Sequence, residues 1–137
     1  MKRVTEQLVT EVVNKINPSG NSEYEIVCAV NNYLCDKVYY PRKEPYPPVT
    51  HTAYGALKNG CAVCEGYACA ACLILRACGV ESDIQVGDTK GGPHAWNLVK
   101  VKGNWYQLDV CWNDGGKRTQ YLLVSDKLMH ESRKWCE

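Results

Sequence analysis

The chain has 137 residues, room for one domain built on one core. Its 16 basic and 15 acidic residues give a formal charge of +1 with no run of like charges, so an electrostatic grip on nucleic acid or an acidic membrane is not expected. Apolar types at 45% and charged types at 23% are an ordinary globular balance, and the longest nearly uncharged apolar stretch, Tyr67 to Leu75, is too short to span a bilayer.

Taken in chain order, Val4, Leu8, Val12, Val13 and Ile16 recur at helical spacing, so the first sixteen residues read as an amphipathic helix rather than a signal peptide. The turn formers Asn17-Pro18-Ser19-Gly20-Asn21 end it. Ser22 and Glu25 have capping-box spacing ahead of a second helical pattern from Ile26 to Val38. Tyr39 to Val49 holds four of the six prolines and three tyrosines, an extended, polyproline-like connector or a groove wall. A short helical turn is expected over Thr52 to Leu57, closed by Asn59-Gly60. From Ala62 to Cys78 the pattern is helical and apolar on nearly every face, the mark of a buried helix, and Gly79 caps it. Strands follow: one around Ile84 and Val86, a Gly-rich loop from Asp88 to Pro93, then His94 to Val101, a turn at Lys102-Gly103-Asn104, and Trp105 to Trp112. Tyr121 to Val124 is a possible third partner before a capped turn at Ser125. Helices first and an antiparallel sheet second make the fold class α+β, in a single domain over residues 1–137.

Nine cysteines stand at 28, 35, 61, 64, 69, 72, 78, 111 and 136. An odd number cannot pair completely, and a chain of this length needs no cross-links to build a core. Most are read as reduced, small, buried apolar side chains, which suits a reducing or anaerobic setting. Cys64 differs from the rest because it begins the buried helix. Unpaired backbone N–H groups and the positive end of the helix dipole there favour a thiolate, and its own N–H could serve an oxyanion. A thiolate needs a histidine, and the chain offers His51, His94 and His130. If Lys100 faces Trp105 across the hairpin, His94 falls opposite Cys111 and Asp109 becomes its diagonal neighbour, about 7–8 Å away at Cα. A carboxylate at that place can fix the imidazole tautomer and stabilise the imidazolium. A one-residue slip would turn Asp109 to the other face.

Asn59-Gly60-Cys61-Ala62-Val63-Cys64-Glu65-Gly66-Tyr67-Ala68 resembles the nucleophile segment of the transglutaminase-like superfamily. Pro93-His94-Ala95-Trp96-Asn97 resembles its histidine strand, and Gly103 to Trp112 its aspartate strand. The flanking His51 to Leu57 and Tyr121 to Asp126 are similar to bacterial members. The resemblance implies a papain-like architecture, with a central buried helix on an antiparallel sheet. It implies Cys64 as nucleophile, His94 as general base and acid, and Asp109 as orienting acid. The reaction implied is acyl transfer on peptide or protein amides through a thioester. Hydrolysis is the first expectation and glutamine cross-linking the alternative. A second oxyanion donor or substrate contact is sought among Tyr54, His51 and Trp96. Many relatives have Gly where Ala62 stands, which puts the turn before Cys64 in question. No cofactor and no metal are expected, and the expected partner is a peptide or protein substrate.

Other readings weigh against this one. Cys64 alone could be one more buried thiol, and the fold could serve as a non-catalytic peptide-binding domain. Cys61-x-x-Cys64 and Cys69-x-x-Cys72 have zinc-like or redox-like spacing, but only four residues separate the pairs and the second lies along the helix that Cys64 begins. Cys111 could face the site and form a disulfide with Cys64 under oxidation. The cysteine load suits a reducing compartment, whereas the family is often exported or envelope-associated, so no localisation follows.

Overall fold

A computed structural model describes residues 2–17 and 20–134. Helices and one antiparallel sheet pack on a central buried helix. Helix α1 (Lys2–Ile16) buries Val9 and Val12, and α2 (Glu23–Lys37) buries Ile26, Val27, Val30 and Leu34. The capping box at the start of α2 is formed in both directions: Ser22 Oγ accepts from Glu25 N–H at 3.2 Å, and Glu25 Oε1 accepts from Ser22 N–H at 3.0 Å. Helix α3 (Cys64–Ala77) lies between these helices and the sheet. Its small residues Ala68, Ala70, Ala71 and Cys72 are buried, and so are Tyr67, Ile74 and Leu75, as expected of a helix apolar on most faces. Gly79 follows it at φ +84, the left-handed position its lack of a Cβ allows.

The sheet has four strands in the order β3-β2-β1-β4. Strands β1 (Ser82–Thr89), β2 (Gly92–Val101) and β3 (Asn104–Leu108) form an antiparallel meander. The hairpin register is the one the sequence implied, with Lys100 opposite Trp105 and Val101 opposite Asn104. Asn97, fully buried, donates from Nδ2 to Ala68 O at 3.0 Å and so ties β2 to α3.

Several expected boundaries differ, each for a local reason. Asp88 to Pro93 is not a loop: β1 and β2 pair as far as Thr89 and Gly92, and only Lys90-Gly91 turn the chain. The expected strand from Trp105 to Trp112 stops at Leu108, because Asp109 caps a one-turn helix, α4 (Val110–Asp114). His94 therefore does not pair with Cys111. Tyr121 to Val124 adds one bridge, Val124 to Gln107, rather than a strand; Leu123 takes a positive φ of 53° beside it. The helical turn expected at Thr52 to Leu57 is split into a 3-10 turn at Pro48–His51 and a π turn at Gly55–Asn59. After α5 (Asp126–His130), capped by Ser125, the two-residue strand β4 (Arg133–Lys134) returns to pair with Asp88 and Thr89. Cys136 lies outside the described residues. Among the described residues, no helix is long and apolar enough to cross a membrane.

Candidate active site

Close packing before Cys64 fixes where the thiol sits. Tyr39 N–H bonds Gly60 O at 2.9 Å and Ala62 N–H bonds Tyr39 O at 3.1 Å, holding the entry to α3. Val63 N–H bonds Thr50 O at 2.9 Å, which lays the Pro48–His51 turn against the start of α3. That approach needs Gly66. A Cβ there would meet Thr50 O at 2.4 Å and the Ala62 Cβ at 2.7 Å. Ala62 is fully buried at an ordinary negative φ, so this turn does not require the glycine of many relatives. Gly66→Ala is expected to cost about 1–3 kcal/mol by overpacking and to slow alkylation of Cys64. Urea unfolding and a timed iodoacetamide reaction check both effects.

Cys64 stands at the first turn of α3, partly exposed, and lines the same cleft as His94 on β2. His94 Nε2 contacts Asp109 Oδ2 at 2.8 Å, with the His94 and Asp109 side chains 7% and 1% exposed. The second imidazole nitrogen is thereby left for Cys64. Asp109 Oδ1 accepts Trp112 N–H at 3.1 Å as the cap of α4, so the helix that ended β3 also orients this carboxylate. The sequence-derived diagonal therefore places Asp109 beside His94 even though β3 ends one residue earlier.

The electrostatics separate Cys64 from the other thiols. Burial pushes Cys35, Cys69, Cys78 and Cys111 up, with the Asp109 charge adding to the effect on Cys111. Cys64 is also opposed by burial, yet its hydrogen bond to His94, the His94 charge, and the N–H groups of Ala95 and Glu65 outweigh burial and lower it. Burial works against protonation of His94 as well. The hydrogen bonds to Asp109 and Cys64 and the charges of both overcome it, so His94 is pushed up to about 9. The two shifts run in opposite directions, each favouring the charged form of its group.

The pair opens onto a cleft of about 740 Å³. Ile84, Val86, Cys69 and Pro93 supply apolar wall, and His51, Glu65, Asp88 and Lys134 supply its polar members. Tyr40 of the Pro/Tyr connector is pushed up to about 12 by burial and then by the charges of Cys64 and Cys111. Of the residues considered for oxyanion or substrate contact, His51 shares the cleft with Cys64 and is held by Glu65, Nδ1 to Oε1 at 3.1 Å. Tyr54 does not line the cleft. Trp96 does not line the cleft either: it is 1% exposed, stacks on His94 at 5.9 Å between ring centres, and donates from Nε1 to Gln107 Oε1 at 2.6 Å. Among the described residues, no group of three or more His, Cys, Asp or Glu is placed to hold a metal ion.

One residue of the site escaped the sequence reading. Arg133 of β4 reaches Asp109 Oδ2 from Nη1 at 2.5 Å, with the Arg133 and Asp109 side chains 0% and 1% exposed. A lone Arg in the polar run Glu131-Ser132-Arg133-Lys134 carries no periodic or motif signal; only the fold buries it.

Comparison with known proteins gives the family and the fold. A family model described as the transglutaminase-like superfamily matches residues 10–110, a span that includes Cys64, His94 and Asp109. The solved structure of a TGase is similar at TM-score 0.69 and 18% identity, covering 78% of this chain and 31% of that one. A candidate cysteine protease from Cytophaga hutchinsonii is similar at TM-score 0.64 and 18% identity, covering 78% of this chain and 37% of that one. The chain thus spans about a third of the length of each, and the likeness is one of fold. No curated protein matches the chain.

Proposed function

Because the chain belongs to the transglutaminase-like superfamily, we propose that it is a thiol enzyme that cleaves peptide or protein amides through a thioester on Cys64. The observation that carries this reading is the grouping at the cleft: Cys64 and His94 line it together, and His94 Nε2 meets Asp109 Oδ2 at 2.8 Å.

Cys64 Sγ, already relieved of its proton by His94, attacks the amide carbon. The N–H of Cys64 at the head of α3 lies where the developing oxyanion can be met, with His51 the nearer candidate for a second donor. The imidazolium then protonates the leaving amine, the C–N bond breaks, and the thioester remains. His94, now neutral, takes a proton from water as that water attacks the thioester; the acid leaves and Cys64 returns as thiolate. Hydrolysis is preferred to cross-linking because Cys64 is partly exposed at the cleft, where a thioester would meet solvent. A glutamine-amine transfer would need water kept from the thioester.

The test is the alkylation rate of each cysteine in the folded protein against pH, by iodoacetamide and peptide mapping. Cys64 is expected to react fastest well below pH 8, with the advantage lost in His94→Ala; equal rates at all cysteines would sink the reading. The alkaline side follows from His94. Its pKa is raised above the ordinary 6.5, so imidazolium persists through neutrality and is lost as pH rises through about 9. Turnover of a peptide amide is therefore expected to fall across that region. Release of free carboxylate in the presence of concentrated primary amine, with no amine incorporated, supports hydrolysis; stable incorporation into a glutamine-bearing protein contradicts it.

A further inference from the structure

We propose that Arg133 is a positioning residue of the site, clamping the Asp109 carboxylate and balancing its charge so that His94 is aimed at Cys64 and gives up its proton readily. The inference rests on the reading of Cys64, His94 and Asp109 as the reacting groups.

Asp109 is held from three directions. Oδ2 accepts from His94 Nε2 at 2.8 Å and from Arg133 Nη1 at 2.5 Å, and Oδ1 accepts from Trp112 N–H at 3.1 Å. A carboxylate gripped at both oxygens cannot rotate away from the imidazole. The guanidinium is itself fixed by ring faces: its central carbon lies 4.2 Å from the centre of Trp112, 4.8 Å from Trp96 and 4.9 Å from Tyr121. Trp96 and Trp112 also stand beside the His94 ring, at 5.9 and 5.2 Å. Imidazole and guanidinium are therefore packed by the same two indoles while they share one carboxylate oxygen.

Stability alone accounts poorly for this arrangement. A fully buried guanidinium carries five N–H donors and a large desolvation cost. Here Nη1 reaches Asp109 and Nε reaches Ser132 Oγ at 3.1 Å, while Nη2 has no hydrogen-bond partner among the described residues. A cation placed only for folding would be better satisfied, or replaced by an apolar side chain. The value of the charge lies in the site. With Arg133 present the acid's charge is matched, and proton transfer from Cys64 to His94 takes place beside a neutral pair. Without it, the bare carboxylate would hold the imidazolium more tightly, and His94 would be a weaker acid toward the leaving amine.

Other groups facing the cluster are Cys64 from α3, Cys111 from α4 and Tyr121 from the loop that follows. Asp126 stands behind Gln107, which bonds Trp96, and Glu65, His51, Asp88 and Lys134 stand in the cleft. None of these is bonded to Asp109 Oδ2 in place of Arg133.

The experiment compares Arg133→Met and Arg133→Lys with the parent protein, reading the pH dependence of Cys64 alkylation and kcat on a peptide amide. In Arg133→Met the alkaline limb is expected to move up by about one pH unit and kcat to fall by about tenfold or more. Arg133→Lys keeps the charge and loses the fork, so the limb is expected to stay while kcat falls. A merely structural role would lower thermal stability in both variants and leave the limb in place. A second measurement needs no variant: the Arg133 guanidinium nitrogen resonances of the parent should titrate with the His94 midpoint and shift down with it after Cys64 is carboxamidomethylated. If Cys64 shows no His94-dependent reactivity in the parent, the reading of the site falls and takes this inference with it. If that reactivity is present but Arg133→Met leaves limb and rate unchanged, or the guanidinium signal stays flat through the His94 titration, the inference alone is overturned.

Discussion

Replacement of Cys64 by Ser is expected to lower turnover of a peptide amide by at least about 10³-fold, with His94→Ala equally damaging and the double variant no worse than either. The reason is that nucleophile and base act as one unit. The serine hydroxyl keeps the shape of the thiol but has no thiolate for His94 to stabilise, and a thiol without His94 keeps only the N–H groups of Ala95 and Glu65 against burial. Cys64→Ser should unfold within about 1 kcal/mol of the parent in urea, whereas His94→Ala removes a buried ring and the partner of Asp109 and should be the less stable variant. Measuring kcat/KM for the four proteins decides the matter. Losses that multiply in the double variant would mean that the two groups act independently, and the thiolate–imidazolium pair would have to be abandoned.

The largest combined effect is expected at Asp109. Asp109→Ala removes the acceptor of His94, the cap of α4 and the only anionic partner that Arg133 has among the described residues. Leaving that buried guanidinium unpaired should cost about 3–5 kcal/mol, and loss of the cap adds about 1 kcal/mol more. Activity should fall with it, because His94 keeps neither orientation nor counter-charge. The double variant Asp109→Ala with Arg133→Met separates these consequences: it should regain most of the lost stability and none of the activity. Urea midpoints and kcat/KM for the cycle test this. If Asp109→Ala alone unfolds like the parent, the buried pair has been misjudged.

What the sequence disclosed and what it hid follow from the range of the interactions. The hairpin was legible because a short turn at Lys102-Gly103 sets the register between neighbours, and that register carries Asp109 to His94 whichever way the chain goes after Leu108. The central helix was legible because an all-round apolar pattern has few other uses. The end of β3 was hidden because Asp109 suits a strand partner and a helix cap alike, and only packing of α4 against α2 and α3 chooses. The Gly-rich stretch at Asp88 to Pro93 looked like a loop because glycine weakens strands; pairing of β1 with β2 on one side and β4 on the other overrides that preference. Arg133 was beyond reach altogether, since its surroundings come from Trp96, Trp112 and Tyr121 on three separate segments.

The missing Cβ of Gly66 also bears on how the two sides of the cleft are held. The Pro48–His51 turn is seated on α3 through Val63 N–H and Thr50 O, with backbone in contact where any other residue would hold it off. Rim and thiol are therefore joined directly through backbone. The facing wall is the end of the β1–β2 hairpin, which among the described residues β4 holds through two residue pairs, Asp88 with Lys134 and Thr89 with Arg133. Widening of the cleft is therefore expected in that hairpin before it is expected at the head of α3, and faster amide hydrogen exchange in the hairpin would show it.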